Sequence, residues 1–243
     1  MRTLLFLSFL FFVTSCSQQK TLADSNTVEE ATKPTFEIEV VTRLNKYNSD
    51  KAYLDEFTLY KDNQELKTIA MGRSNSIKVS NLTAGNYKIR YRSLFNRWEY
   101  QEFVISSYSK KTIELSLDYY DYSSNKNILF IDELKVGEKL DINYKSRGCF
   151  HGFETQLEIR RDEKGFHFKF YKQEKLLTAS ELELLRQFEI ELRCNMRRGC
   201  TTENRYTLVN PENFDFFETV DGTCTWGGIS YVLEKLGFNP LDG

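Results

Sequence analysis

The sequence has no surplus of positive charge: 33 Lys and Arg stand against 35 Asp and Glu, for a formal net charge of −2. That balance leaves no concentrated basic face, so nucleic acid is excluded as a partner. After its first residues the chain has no apolar run approaching the roughly 20 residues that a membrane-spanning helix needs, and the remainder is expected to be soluble. It has no Gly-rich phosphate loop, no Ser nucleophile elbow and no His-Glu-x-x-His helix, which closes three common routes to catalysis. Proline is limited to Pro34, Pro211 and Pro240, each at an expected edge or turn. No catalytic residue, metal or cofactor is assigned.

What is present begins with Leu4 to Val13, an unbroken run of Leu, Phe, Ser and Val after Met1 and Arg2. It has the length of a signal-peptide apolar region and is too short to cross a bilayer as a helix. Val13-Thr14-Ser15-Cys16 closes it. These four residues resemble the lipobox of bacterial lipoproteins. The resemblance implies removal of residues 1–15, lipid on the Cys16 sulfur, and acyl chains as the attachment of the protein to a membrane. The alternative is an ordinary secretory signal in which Cys16 has no special role. No Asp sits beside Cys16, so the inner-membrane retention signal of some bacterial lipoproteins is missing, which favours the outer membrane. Residues 16–34 are polar, with no aromatic side chain, and are expected to form a disordered tether.

From residue 35 the pattern changes to a period of two. Phe36, Ile38 and Val40 alternate with Glu37 and Glu39, and Tyr87, Ile89 and Tyr91 alternate with Lys88, Arg90 and Arg92. Phe57 and Leu59, Ile77 and Val79, Val104 and Ile105, and Ile113, Leu115 and Leu117 mark further strands. Six or seven short antiparallel strands over residues 35–118 favour a β-sandwich. The stretch Val79 to Ile89, with Leu82-Thr83-Ala84-Gly85-Asn86-Tyr87 at its centre, resembles the strand–turn–strand of PEGA-like and carboxypeptidase-regulatory-like domains. That resemblance implies an immunoglobulin-like or transthyretin-like sandwich acting as a spacer or binding module. Phe95, Arg97, Trp98 and Tyr100 are a candidate ligand surface, because a cation beside several rings can present a stacking patch. In the competing expectation Phe95 and Trp98 plug the end of the sandwich.

Residues 119–126, with three tyrosines, read as a linker whose rings pack on either neighbour. Residues 127–243 then read as an α+β domain with an antiparallel sheet and two helices. Leu140, Ile142 and Tyr144 alternate, as do Leu157 and Ile159. Asp162 to Gly165 makes a hairpin turn, with Phe166, Phe168 and Phe170 on one face of the strand that follows. Thr178-Ala179-Ser180-Glu181 is a capping box opening a helix on Leu182, Leu185, Phe188 and Leu192. Tyr206 and Leu208, then Phe214, Phe216 and Val220, give two more strands, and Ile229 to Leu236 a terminal helix stopped by Gly237.

With Cys16 assigned to lipid, Cys149, Cys194, Cys200 and Cys224 remain. An even number in an exported protein is most simply two disulfides. Cys149 with Cys224 and Cys194 with Cys200 is the preferred pairing, and Cys149 with Cys200 competes. Two sharper readings use the same residues. Cys149 and His151 could join other ligands around zinc, although the usual Cys-x-x-Cys spacing is absent. His167, alternating with Phe166 and Phe168, is expected to face outward and away from any such site. Cys149 could instead be a nucleophile activated by His151, but no orienting group accompanies them. The reading is a mainly β, two-domain, non-enzymatic envelope lipoprotein acting as a binding or scaffolding module. Its partners are the membrane, through the lipid anchor, and another envelope protein or a glycan. The alternative is an enzyme or zinc-binding domain using Cys149 and His151.

Overall fold

A computed structural model describes residues 34–47, 52–106, 110–150, 152–194, 201–210, 215–223 and 225–238. Residues 34–243 form one compact unit built mainly of strands. Its first seven strands are β1 (Phe36–Arg43), β2 (Glu56–Lys61), β3 (Gln64–Ala70), β4 (Ser76–Leu82), β5 (Gly85–Arg92), β6 (Trp98–Ile105) and β7 (Lys111–Ser116). They make a three-stranded sheet in the order β4-β1-β7 and a four-stranded sheet in the order β3-β2-β5-β6. Alternation decides what each sheet buries: Ile38, Val40 and Leu115 from one and Phe57, Leu59 and Ile89 from the other are almost fully inaccessible. This is the expected sandwich with one correction. β1 pairs with β7 in parallel, Ile38 opposite Lys111 through Arg43 opposite Ser116, so the strands are not all antiparallel. Alternation cannot reveal strand direction, because both kinds of pairing keep the same period.

The turn between β4 and β5 shows why its residues matter. Gly85 has φ +152°, and a Cβ there would meet Lys61 Cε at 2.6 Å, so only glycine fits. Leu82 is buried, and the Tyr87 hydroxyl donates to the Thr83 carbonyl at 2.7 Å, tying the outgoing strand back to its own turn.

The second half begins with a single helical turn, α1 (Phe130–Glu133), which the sequence pattern did not suggest. Strands β8 (Lys139–Arg147), β9 (Gly152–Asp162), β10 (Gly165–Phe170) and β11 (Gln173–Leu176) precede helix α2 (Ala179–Leu192). Strands β12 (Glu203–Asn210) and β13 (Asp215–Asp221) precede helix α3 (Gly228–Leu236). The six strands form one antiparallel sheet in the order β11-β10-β9-β8-β12-β13. The expected capping box opens α2: Thr178 Oγ1 accepts from the Glu181 amide, and the Glu181 carboxylate accepts from the Thr178 amide at 2.9 Å. Gly237, at φ +80°, ends α3. Phe188 on α2 stacks on Trp226 at 5.7 Å and meets Tyr206 of β12 edge-on at 5.9 Å, and Phe168 of β10 lies 5.3 Å from Phe238 just past α3, so rings join the helical layer to the sheet. Phe166 is only partly buried, and Phe216 on β13 is exposed. Phe214, Pro211 and Pro240 lie outside the described residues.

Three buried carboxylates order the junction, and one of them, Glu191, joins the halves directly. Asp118 accepts from the amides of Asn45, Lys46 and Tyr47 at 2.9, 2.7 and 3.3 Å, which fixes the loop after β1. That loop delivers Lys46 and Tyr47 to Glu191 on α2, which is 1% exposed. Tyr122, from the expected linker, donates to the same carboxylate, as does Trp226 Nε1 at 2.8 Å. Glu189 accepts from the amides of Phe130 and Ile131 at 2.7 and 3.1 Å and pairs with Arg193, anchoring α1. The expectation for the linker tyrosines is met by Tyr120 and Tyr122, which pack inward, while Tyr119 is exposed.

Candidate ligand-binding face

The sequence placed Phe95, Arg97, Trp98 and Tyr100 together, and the fold divides them. Phe95 is 2% exposed and packs edge-on against Tyr120 at 5.6 Å, so it plugs the sandwich where the halves meet. Arg97 is exposed, but its guanidinium lies over the Tyr120 ring at 4.7 Å. Trp98 is not the plug it was expected to be: it is 48% exposed. Strand alternation turns Trp98 and Tyr100 outward together on β6, and register sets them opposite Arg92 and Arg90 of β5.

The outer face of the four-stranded sheet is therefore a row of rings and cations. The guanidinium carbons of Arg90 and Arg92 lie 4.7 and 4.4 Å from the Trp98 ring centre, and Arg90 also approaches Tyr60 on β2 at 5.5 Å. Lys88 Nζ lies 5.7 Å from the Tyr60 ring and 5.5 Å from the Tyr100 ring. Arg92 donates to the Asn96 carbonyl at 3.0 Å and Lys88 to Asn63 Oδ1 at 3.3 Å. Among the described residues no carboxylate lies within 4.0 Å of the charged nitrogens of Lys88, Arg90 or Arg92, and Arg90 Nε is buried without a hydrogen-bond acceptor. Glu102 and Glu65 stand on the same face towards the Lys88 end, where Tyr60 donates to Glu65 at 3.4 Å. There the face runs into an open groove of about 510 Å³ lined by Asn86, Lys88, Glu102 and Val104, among others.

Tyr60, Lys88, Arg90 and Arg92 were missed as site residues. The sequence showed the three cations only as the polar half of an alternating strand, and nothing local to it tells which ring on another strand they face.

The remaining sites are scattered. Cys149 is exposed at the β8–β9 connection, and His151, Cys200, Cys224 and Cys16 lie outside the described residues. Cys149 and Cys194 are free thiols in the structure, and the partners expected for them, Cys224 and Cys200, are among the residues not described. Burial pushes the Cys194 thiol up to about 11, against an ordinary 9.0; it is held beside Tyr120 and hydrogen-bonded to the Ile190 carbonyl. Such a thiol is a poor nucleophile. His167 lies on the strand face away from Phe168, its ring nitrogens 2.9 and 3.3 Å from the carboxylates of Asp162 and Glu174. No group of three potential metal ligands occurs among the described residues.

No protein-family model and no curated protein matches the sequence. Several solved structures overlap it distantly. The major pilin subunit BcpA of Bacillus cereus aligns at 11% identity over 77% of this chain and 67% of its own, with a TM-score of 0.32. The Bacillus anthracis TIE protein aligns at 11% identity over 77% of this chain and 31% of its own, at 0.33. A streptococcal ancillary pilin aligns at 10% over 78% of this chain and 59% of its own, at 0.25. Similarity this low carries no inference about what this chain does.

Proposed function

We propose that the protein is a non-enzymatic lipoprotein of the bacterial cell envelope, held by lipid on Cys16, whose sandwich binds an envelope component through the outer face of its four-stranded sheet. The observation that carries the binding half is the set of three cations packed on Tyr60, Trp98 and Tyr100, none of them ion-paired among the described residues, with the neighbouring carboxylates Glu65 and Glu102 confined to the Lys88 end. The lipobox-like Val13-Thr14-Ser15-Cys16 supports the anchor. The absence of an inner-membrane retention signal after Cys16 supports the outer membrane. No observation favours the enzyme or zinc reading at Cys149 and His151.

Cell fractionation tests both halves. Cys16→Ser is expected to release the chain from the membrane fraction and to remove the mass of the acyl chains; unchanged fractionation and mass would overturn the anchor. The released chain is expected to rebind washed envelope fractions of the producing cell, and Trp98→Ala to abolish that rebinding. Rebinding indifferent to Trp98 would overturn the face.

A further inference from the structure

We infer that the ligand of this face is an acidic saccharide chain, a polymer with carboxylate or sulfate groups on its sugar rings. The inference rests on the binding role proposed for the face and adds the chemistry of the occupant.

Three features lead there. The first is charge. Lys88, Arg90 and Arg92 lack carboxylate partners, and Arg90 presents a buried Nε–H with no acceptor. A guanidinium whose carbon lies over a ring can still turn its terminal N–H groups to the surface, and these match a carboxylate or sulfate. An anion is the missing partner.

The second feature is inside the protein. At the junction, Lys46 lies 5.1–5.7 Å from the rings of Tyr47, Tyr122 and Tyr231, and the arrangement is completed by the carboxylate of Glu191. The outer face repeats the combination of cation and rings without the carboxylate. What the fold supplies from α2 in one place, a ligand would supply in the other.

The third feature is shape. Trp98 is 48% exposed and Tyr100 55% exposed, two residues apart on one strand, so their rings repeat at about 7 Å. Arg90 and Arg92 repeat at the same spacing beside them. The cationic row runs from Arg92 to Lys88, about 13 Å along β5, and ends at the groove, whose lining includes Asp62 and Glu102. A small anion would use one guanidinium. A chain alternating apolar ring faces with anions uses the whole row, since the C–H face of a pyranose stacks on an indole or phenol ring while its charged substituent reaches the neighbouring cation. An acidic peptide supplies the anions but not the stacking faces.

The test measures binding of the full chain in detergent to three polymers: a polyuronate, neutral dextran and polyglutamate. The polyuronate is expected to bind, more weakly as salt rises, with dextran and polyglutamate each weaker by about tenfold or more. Trp98→Ala and Arg90→Gln are each expected to lower polyuronate affinity by about tenfold, with Trp98→Tyr restoring part of it. Lys145→Ala, on the other sheet, is expected to change nothing. Circular dichroism and the melting transition show that each variant is folded, and Arg90→Lys, which keeps the charge and loses the fork, is a second probe expected to fall between the extremes. Polyglutamate binding as tightly as polyuronate, polyuronate binding unchanged by the face variants, or no polyuronate binding by the folded chain would each overturn the inference. If polyuronate fails while envelope rebinding still depends on Trp98, the ligand class is wrong and the binding face stands. If rebinding is also indifferent to Trp98, the face itself is wrong.

Discussion

Two clusters of cations and aromatic rings occupy opposite situations in this molecule. At the junction Lys46 is surrounded by Tyr47, Tyr122 and Tyr231 and neutralised by Glu191, with Trp226 donating to the same carboxylate. On the outer sheet face Arg90 and Arg92 lie over the half-exposed Trp98, partly buried themselves and without an ion-paired carboxylate. The difference shows what burial demands. A charge taken out of water must be paired and hydrogen-bonded, so the junction spends a carboxylate and four donors on one site. A charge at the surface is served by water and can be left free for another molecule. The six-stranded sheet takes a third course, closing its surface charges across strands in pairs such as Lys145–Glu154 and Arg160–Glu174.

The strongest way to break this comparison is to unpair the buried cluster. Lys46→Met leaves the Glu191 carboxylate in a site that is 1% exposed without its counter-charge. A loss of about 3–5 kcal/mol is expected in urea unfolding, as for other buried pairs deprived of one partner. If the loss is below about 1 kcal/mol, the range of an exposed pair, the junction is no different from the surface.

Alkaline pH should separate the clusters next. Burial, and then the nearby Glu191 charge, raise the hydroxyls of Tyr47 and Tyr122, and burial raises the Cys194 thiol to about 11. Each group is an acid whose neutral form the fold favours, so the folded state holds the proton to higher pH than the unfolded chain does. The Cys194 contribution is complete below about pH 9 and is lost as pH rises through 11, while that of the two tyrosines starts to fall near pH 10 and keeps falling above 11. Cys194 alone accounts for about 3 kcal/mol of it. Arginines stay charged throughout this window, so Arg90 and Arg92 keep their charge while the junction loses stability. Urea unfolding at a series of pH values checks this; stability rising between pH 9 and 11 would show that these groups are not held neutral.

The same contrast explains what could be read from the sequence. Alternation gave the buried sides of β1, β5, β8, β9 and β10, because period and burial coincide. The helix start at Thr178 was legible because both halves of its capping box lie within four residues. The junction was not: Lys46 and Glu191 are 145 residues apart, and an isolated Lys or Glu carries no mark of its partner. α1 escaped because Glu189, 59 residues beyond Phe130, caps it from outside. β11, four residues without apolar alternation, is defined by its pairing with β10. The candidate face was half legible. Trp98 and Tyr100 stood out by type, but which cations they meet depends on the register of β5 against β6, which only the folded sheet supplies.

The smallest expected effect is the most discriminating. Trp98→Ala removes two cation–ring contacts at a half-exposed position, and such contacts contribute about 0.5–1 kcal/mol each. The expected cost to stability is therefore about 1 kcal/mol, near the level for breaking the exposed Lys145–Glu154 pair with Lys145→Ala. By stability alone the two surfaces should look alike. They should part in binding, where the first substitution removes a stacking ring and the second removes nothing a ligand touches. A Trp98→Ala cost as large as that of Lys46→Met would mean that the ring belongs to the architecture of the sandwich, and the outer face would then be a structural cluster turned outward. A small cost together with lost binding would mark Trp98 as a residue kept at the surface for a partner.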